Sequence, residues 1–152
     1  EVDRLRVQSM VPTGRGDLES MPTPEQLKWL EKFVEGAVEP VLEEGIRIEY
    51  GDPAHHIRAG LLMRLTLAMN ITADGHVGFT PYFPFSCGTV RRYPLHWLWR
   101  ERLTKVWSHP VVRSELSKVE TVYDFYKVSG ASSREPILLD GWDELSSEEG
   151  EC

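Results

Sequence analysis

Apolar residues alternate on both sides of an Asp-Gly pair near the middle of the chain, and this pattern constrains the fold most strongly. The odd positions before Asp74-Gly75 carry large apolar side chains, and the same register resumes after the pair. An Asp-Gly pair between two alternating runs is the strongest short-range signal for a β-hairpin. The sequence therefore predicts an antiparallel hairpin, with a helix as the alternative for residues 59–63. The alternating residues are Leu61, Met63, Leu65, Leu67, Met69 and Ile71, followed by Val77, Phe79 and Phe83.

A first amphipathic helix is predicted to begin after Thr23. Thr23 and Gln26 have the spacing of a capping box, and Pro24 suits the first helical position. Pro40 is expected to kink or end the helix, and Gly45 to stop it. Because its apolar residues recur at helical spacing, we expect this face to lie in the core. The face comprises Leu27, Leu30, Val34, Val38, Val41 and Leu42, widened by Trp29 and Phe33.

A second helix is predicted to begin at Pro94 and to end at His109-Pro110, followed by a shorter helix over residues 111–119. Its apolar face comprises Leu95, Leu98, Trp99, Leu103, Val106 and Trp107. Strands are predicted in the first eleven residues, over residues 46–50, and around Val122, Phe125 and Val128.

Charge is distributed unevenly along the chain. The net charge of −7 arises in residues 135–152, which contain seven acidic residues and no Lys or Arg. The remaining acidic residues equal the Lys and Arg residues in number, so the body is neutral. The apolar cluster at residues 137–145 within this acidic segment predicts docking, either on the basic residues of segment 91–118 or on a partner.

Cysteine content and hydropathy narrow the class of protein. Two cysteines, Cys87 and Cys152, are too few for a disulfide scaffold or for a cysteine-only zinc or iron–sulfur site. No apolar run is long enough to span a membrane. We therefore expect a cytoplasmic protein without a membrane partner. Because the chain begins with Glu1 inside a strand-like pattern, we also expect it to be a piece of a longer protein.

The order of motifs resembles a known family. Ile71-Thr-Ala-Asp-Gly-His-Val-Gly-Phe-Thr80 is followed by Cys87-Gly-Thr-Val and then by Leu103-Thr-Lys-Val-Trp107. This series resembles the C-terminal SPASM/twitch region of radical SAM proteins, in which a hairpin with an Asp-Gly turn precedes a helix ending in Leu-x-x-Ile-Trp. The first strand and the loop around Arg15 are similar to the last strand and the following loop of a radical SAM half-barrel.

The sequence departs from that family at the auxiliary cluster. Thr80 stands where a cluster cysteine follows the hairpin glycine, residues 59–65 contain no cysteine, and the downstream cysteine run is absent. A [4Fe–4S] cluster requires several thiolates. The resemblance therefore implies no cofactor in this chain. It implies that the catalytic [4Fe–4S] cluster and S-adenosylmethionine are bound by a missing N-terminal part.

The resemblance implies an α+β fold. We expect a small antiparallel hairpin sheet packed against the two amphipathic helices, with an edge strand resembling the end of a radical SAM half-barrel. Residues 1–20 would be the remnant of the last barrel strand and loop, residues 21–129 the SPASM/twitch-like domain, and residues 130–152 a linker and acidic tail.

The resemblance also implies a function. The chain would be the accessory, substrate-covering domain of a radical SAM enzyme that modifies peptides or proteins or matures a cofactor, and would not be catalytic alone. Its partners would be the radical SAM barrel, in cis or as a separate chain, and a peptide or protein substrate. The expected substrate contacts are Arg15, Phe79, Tyr82, Phe83 and Cys87.

Two other classes remain open from the residues. One is a free-standing adaptor that binds a protein or peptide beside the basic residues of the second helix. The other, an independent enzyme that uses Cys87 with a histidine, has less support because no base is fixed near this thiol by the sequence. The partner-binding residues of the adaptor would be Arg91, Arg92, Arg100 and Arg102.

Metal and nucleic acid are not expected as ligands. His55 and His56 are adjacent and point apart on any regular element, and their spacing to Asp52 and His76 matches no metal motif. The sequence pI near 5.2 argues against a nucleic-acid surface, although three tryptophans lie among the basic residues.

Overall fold

The chain folds as a mixed α+β protein. The computed structural model describes residues 3–11, 19–131, 133 and 135–142, and the statements that follow concern these residues. Twelve elements occur among them. In chain order they are β1 (Arg4–Gln8), α1 (Pro24–Glu43), β2 (Arg47–Gly51), α2 (Pro53–Met63), β3 (Asn70–Ile71), β4 (Val77–Gly78), β5 (Phe85–Ser86), α3 (Leu95–Glu101), a 3₁₀ helix (Leu103–Ser108), α4 (Pro110–Leu116), a second 3₁₀ helix (Val122–Lys127) and β6 (Ile137–Leu138).

The first three elements form a βαβ unit. β1 and β2 are parallel, paired from Arg4 with Arg47 to Gln8 with Gly51, and α1 connects them. Parallel strands require such a crossover, so α1 packs against β2. The predicted strands in these two regions are confirmed, except that Val2 lies outside the described residues. The structure corrects one expectation of packing, because the main contact of α1 is with this parallel pair rather than with the hairpin.

α1 begins as the sequence predicts. The Thr23 side chain accepts a hydrogen bond from the Gln26 N–H, and the Gln26 side chain accepts one from the Thr23 N–H, which completes the capping box. The helix continues through Pro40 to Glu43, so the prediction that Pro40 could end it is wrong. Gly45 adopts a left-handed φ of 78° directly after the helix, which confirms the predicted stop.

The predicted burial of the α1 face is wrong for four of the seven side chains that the structure describes, Val41 lying outside the described side chains. Val34 is buried, but the Trp29 side chain is 65% exposed and the Phe33 side chain 56% exposed, and the two rings stack on each other. Because an α-helix turns about 100° per residue, these rings lie about 100–140° around the helix from Val34. A two-stranded sheet under Val34 is too narrow to cover them. The exposed residues of the face are Trp29, Phe33, Val38 and Leu42.

The predicted hairpin is confirmed, in shortened form. β3 and β4 are antiparallel, with Ile71 opposite Val77, and Gly75 adopts a φ of 91° in the turn. The alternation before residue 70 does not form a strand, because α2 continues to Met63 and Arg64 ends it in the left-handed conformation. Residues 59–63 therefore follow the helical alternative. The Asp52 side chain caps α2 by accepting the Ala54 N–H, and Pro53 occupies its first position.

The core lies under α2, α3, α4 and the first 3₁₀ helix. Trp107 at its centre is buried against the backbone of Gly60 in α2 and contacts the Phe79 ring edge-on, with 4.8 Å between the ring centroids. The predicted second helix and the break at His109-Pro110 are confirmed, although Arg102 divides the helix into an α-helical and a 3₁₀ part.

The strand predicted around residues 122–128 is wrong. These residues form a 3₁₀ helix, from Val122 to Lys127. A 3₁₀ helix has three residues per turn, so Val122, Phe125 and Val128 lie on one side of it, and all three are buried.

The last described segment belongs to the body. β6 pairs in parallel with β5, and Leu139 and Trp142 are buried in the core. Backbone hydrogen bonds from Val77 to Gly88 and from Cys87 to Val77 connect β5 and the residues after it to the hairpin. Residues 143–152, with five of the seven acidic residues of the tail, lie outside the described residues. None of the helices in the described part of the chain combines the length and apolarity needed to cross a bilayer.

Candidate functional site

A cleft of about 540 Å³ opens beside the hairpin, and we call it the hairpin cleft. Ligand sites in proteins usually have volumes of about 300–1,000 Å³ and combine apolar walls with a few polar groups. Its floor is formed by the β3–β4 hairpin and β5, and its walls by the loop of residues 80–84 and by Ala131, Ser133 and Pro136. The polar residues of its lining are Asn70, Thr72, Asp74, His76, Thr80, Tyr82, Ser86 and Ser133.

The strand periodicity explains how polar residues reach the floor. Side chains point to alternate faces of a strand, and Val77 and Cys87 face the core. His76 and Ser86, their neighbours in the chain, therefore lie on the opposite face. Their side chains meet there, with 3.0 Å between His76 Nδ1 and Ser86 Oγ.

Asp74, His76 and Ser86 form one network. Asp74 accepts a hydrogen bond from the Thr72 hydroxyl, and 3.9 Å separates its Oδ2 from His76 Nε2. The bond from Thr72 is the main cause of the lowered pKa of Asp74, and the nearby His76 contributes to the lowering. Asp74 is therefore an anion at neutral pH.

The network resembles a nucleophile–histidine–carboxylate arrangement, but the geometry of Ser86 argues against that chemistry. Ser86 is only 2% exposed, its Oγ accepts the Gly88 N–H, and its hydroxyl donates to the Gly88 carbonyl oxygen. A hydroxyl has one proton and two lone pairs, so these bonds and the contact with His76 Nδ1 saturate it. All three bonds form together when His76 Nδ1 carries a proton and donates it to Ser86 Oγ.

Tyr82 connects the wall of the cleft to the parallel strands. Its hydroxyl accepts a hydrogen bond of 3.0 Å from the side-chain amide of Gln8, the last residue of β1. Its ring contacts the Phe125 ring edge-on, with 5.8 Å between the centroids. The loop that bears Tyr82 is thereby fixed at the carboxyl end of β1.

The predicted substrate contacts have different positions. Tyr82 and Phe83 line the hairpin cleft, Phe83 being almost fully buried. Phe79 and Cys87 lie in the core instead, and burial raises the pKa of the Cys87 thiol to about 12, against a smaller lowering by Arg102. Arg15 lies outside the described residues.

Three of the four predicted partner-binding arginines are exposed, and Arg102 is partly buried. Arg91 donates to the backbone carbonyl of Asp74 at the hairpin turn, and Arg92 lies over the Tyr93 ring. Arg100 is exposed at the end of α3. Arg102 is partly buried and donates to the Cys87 carbonyl oxygen, with a distance of 2.7 Å. The Arg102 side chain is thus engaged by a hydrogen bond within the chain.

Arg102 also contacts the C-terminal segment. Its guanidinium lies 4.8 Å from the centroid of Tyr93, 5.1 Å from that of Trp97 and 5.6 Å from that of Trp142. His109 contacts the same segment, with 2.8 Å between its Nε2 and the Asp140 carbonyl oxygen. Because a backbone carbonyl only accepts, His109 Nε2 is the donor. Cation–π contacts and this hydrogen bond seat Trp142 on the body.

The histidines are not brought together. His76 lies in the hairpin cleft, whereas His55 and His56 lie on α2. Among the described residues no group of three or more His, Cys, Asp or Glu side chains has the geometry to hold a metal ion.

A second cavity, of about 390 Å³, lies at the carboxyl ends of the two parallel strands. Ser9 follows β1 and Asp52 follows β2, and both line this cavity. The hydroxyls of Ser9 and Tyr50, which both line this cavity, form a hydrogen bond of 2.8 Å. In parallel α/β sheets, ligands bind at this end of the strands.

Sequence reasoning did not identify the pairing of His76 with Ser86. Both occupy the register opposite to the apolar residues of the hairpin, and that signal was available. The pairing itself depends on the loop of residues 79–84, which no periodicity predicts.

Comparisons of the chain with protein-family models, with curated proteins and with solved structures found no match.

Proposed function

We propose that the chain is the C-terminal, substrate-covering part of a radical SAM enzyme that modifies peptides or proteins or matures a cofactor. In this proposal β1 belongs to the end of the catalytic barrel, as the resemblance implies for residues 1–20. We extend that part to α1 and β2, which the resemblance assigned to the SPASM/twitch-like domain, because β2 pairs in parallel with β1. The hairpin and the elements after it cover the barrel opening and hold the substrate in the hairpin cleft. The catalytic [4Fe–4S] cluster and S-adenosylmethionine belong to the part of the enzyme that precedes this unit.

One observation carries the proposal: the hydrogen bond between Gln8 and Tyr82 at the carboxyl end of a parallel strand pair. The active sites of parallel α/β enzymes are found at the carboxyl ends of the strands. A loop fixed there lies where a covering domain contacts the substrate. The second cavity, between Ser9 and Asp52, opens at the same end of the strands.

The exposed apolar surface of the βαβ unit supports the proposal that this unit belongs to a larger barrel. Parallel sheets occur almost only with both faces covered, and two parallel strands alone leave such surface open. Here Leu5 of β1 and the stacked rings of Trp29 and Phe33 are exposed. Further parallel βα units beside β1 would cover these side chains.

The proposal assigns no cluster to this chain. Cys87 is the free cysteine of the described residues, and its buried thiol, with a pKa of about 12, is a poor iron ligand. In the proposed enzyme this chain would orient the substrate and exclude water. The radical chemistry would come from the cluster and S-adenosylmethionine bound upstream.

The source reading frame tests the proposal. We expect it to encode a Cys-x3-Cys-x2-Cys motif upstream of these residues. We also expect its full product, purified without oxygen, to contain iron and to cleave S-adenosylmethionine reductively. Absence of the motif, or of iron in the full product, would overturn the proposal. The chain of 152 residues alone is expected to contain no iron.

A matched pair of variants tests the role of the cleft in the full product. Tyr82→Ala should reduce peptide modification while iron content and uncoupled S-adenosylmethionine cleavage are retained. Tyr126→Ala removes a ring that is 56% exposed and does not line the cleft, and it should change neither activity.

A free-standing adaptor is the second candidate, and the completeness of the cleft favours it. All residues that line the hairpin cleft come from positions 70–136, so the described chain forms it without another protein. For an adaptor, the reading frame should contain no radical SAM motif, and the chain alone should bind a peptide with full affinity.

A further inference from the structure

The charged groups of the hairpin cleft have one sign. Among the lining residues that the structure describes, Asp74 is the single carboxylate and none is Lys or Arg. Arg91, the nearest base in the turn, bonds through its Nε to the backbone carbonyl of Asp74 and does not line the cleft. The Asp74 carboxylate thus favours cations over phosphates and carboxylates at the described lining of the cleft.

The hydrogen-bonding groups of the floor are mainly acceptors. The Asp74 carboxylate accepts from the Thr72 hydroxyl and retains free lone pairs, and its side chain is 61% exposed. A lysine ammonium has three donors and no acceptor, and a guanidinium has five donors and no acceptor. The floor thus complements a cationic side chain.

The wall adds an aromatic surface beside these acceptors. The Tyr82 ring is partly exposed, and its contacts with Phe125 and Gln8 fix it in place. A cation near an aromatic face gains from the ring quadrupole, and a ring that is already fixed loses little entropy on binding.

We propose that the hairpin cleft binds a cationic side chain, lysine or arginine, of a peptide, with the Asp74 carboxylate accepting from it and Tyr82 beside it. This inference adds to the proposed function a chemical feature of the substrate, a cationic side chain. That the bound peptide is a substrate rests on the proposed function. The binding itself requires only the residues of this chain.

Nuclear magnetic resonance titration of the ¹⁵N-labelled chain tests the inference with three probes. N-acetyl-lysine N-methylamide carries the cation, the norleucine analogue has the same stem without charge, and the glutamate analogue is an anion. We expect the lysine probe to shift the amide signals of Asp74, His76 and Ser86 with millimolar affinity, and the other two probes to cause smaller shifts. The lysine shifts should decrease as salt concentration rises, since the Asp74 side chain is exposed.

A variant pair isolates the carboxylate. Asp74→Asn should weaken binding of the lysine probe about two- to fivefold, as for an exposed ion pair. Glu35→Gln removes an exposed carboxylate of α1 that lines neither cavity, and it should leave binding unchanged. The amide spectrum of each variant reports whether the fold is retained, and the acetylated lysine probe removes the charge without any substitution.

Several outcomes would overturn the inference. These are equal binding of the lysine and norleucine probes, equal binding by the acetylated probe, no effect of Asp74→Asn in a folded chain, or no shift in the cleft. None of them depends on iron or on the upstream sequence. If the titrations contradict the cationic site, the radical SAM proposal is still tested by the reading frame and the iron content. If that second test fails, the binding site for a cationic side chain is unaffected.

Discussion

Replacing Gly60 with alanine tests the packing at the centre of the core. A Cβ added to Gly60 would lie 2.3 to 2.6 Å from three atoms of the Trp107 ring. Carbon atoms pack best at about 3.5–4.0 Å, so the ring or α2 must move by about 1 Å. Trp107 is 1% exposed and contacts Phe79 edge-on, so a movement of the ring or of α2 disturbs this packing and costs free energy.

The expected loss of stability follows from two opposing terms. Alanine in a helix interior is more favourable than glycine by about 1 kcal/mol. Overpacking of a dense core costs about 1–3 kcal/mol, and these short distances place Gly60→Ala at the upper end. The free energy of unfolding should therefore decrease by about 2 kcal/mol, which corresponds to a Tm lower by about 4–8 °C for a chain of this size.

Gly36 provides the matched control. It lies within α1, and a Cβ there would meet nothing within 4 Å. Gly36→Ala should increase the free energy of unfolding by about 0.5–1 kcal/mol through helix propensity alone. Urea unfolding followed by tryptophan fluorescence and by circular dichroism measures both variants. A stabilising effect of Gly60→Ala, or shifts of the same sign and size for the two glycines, would refute the packing described here.

Four further predictions concern single side chains. In a Cys152→Ser background, Cys87 should react with a thiol reagent only as fast as the protein unfolds, because burial raises its pKa to about 12; rapid reaction of the folded protein would contradict this. Burial by itself would raise the pKa of Asp124, but hydrogen bonds from Lys127, Thr121 and Glu120 outweigh it and lower the pKa to about 2, so its stabilisation should be complete above about pH 4 and disappear as the pH falls to about 2. Urea unfolding of Asp124→Asn should accordingly show a loss of about 1 kcal/mol at neutral pH that vanishes in acid. Trp142→Ala should cost about 3 kcal/mol by urea unfolding, whereas a chain ending at Trp142 keeps the contacts with Arg102 and His109 and should lose far less. Trp29→Ser should change the stability of this chain by less than about 0.5 kcal/mol because its ring is exposed, and a large loss would show that the ring is covered.

Local signals predicted the local structure well. The capping box of Thr23 and Gln26, the stop at Gly45, the turn at Asp74-Gly75 and the break at His109-Pro110 all occur. Each depends on residues within four positions of one another, so the sequence alone contains the information. The residues that line the hairpin cleft are different, because Tyr82 and Ser133 meet through loops with no periodicity.

Long-range pairing explains the main errors. β1 and β2 are separated by α1, and nothing in either strand specifies the other as its parallel partner. Residues 122–128 have apolar side chains three apart, which suits one face of a 3₁₀ helix, but Val and Phe also have strand propensity. The strand propensity of Val and Phe favoured a strand for this segment. The 3₁₀ helix forms instead because it buries Val122, Phe125 and Val128 together in the core.

The exposed flank of α1 shows what a periodic pattern cannot specify. Trp29 and Phe33 have the spacing of core residues, yet the described chain provides one narrow sheet, which reaches only the side of the helix around Val34. A helix of a parallel α/β sheet normally has a neighbouring helix on each flank as well as the sheet beneath it. The width of the apolar face of α1 therefore matches a larger sheet than two strands. This excess is what the proposed barrel requires, and it explains why the apolar pattern and the observed burial disagree in α1. Along α3 and the first 3₁₀ helix the disagreement is confined to Leu95, which is exposed.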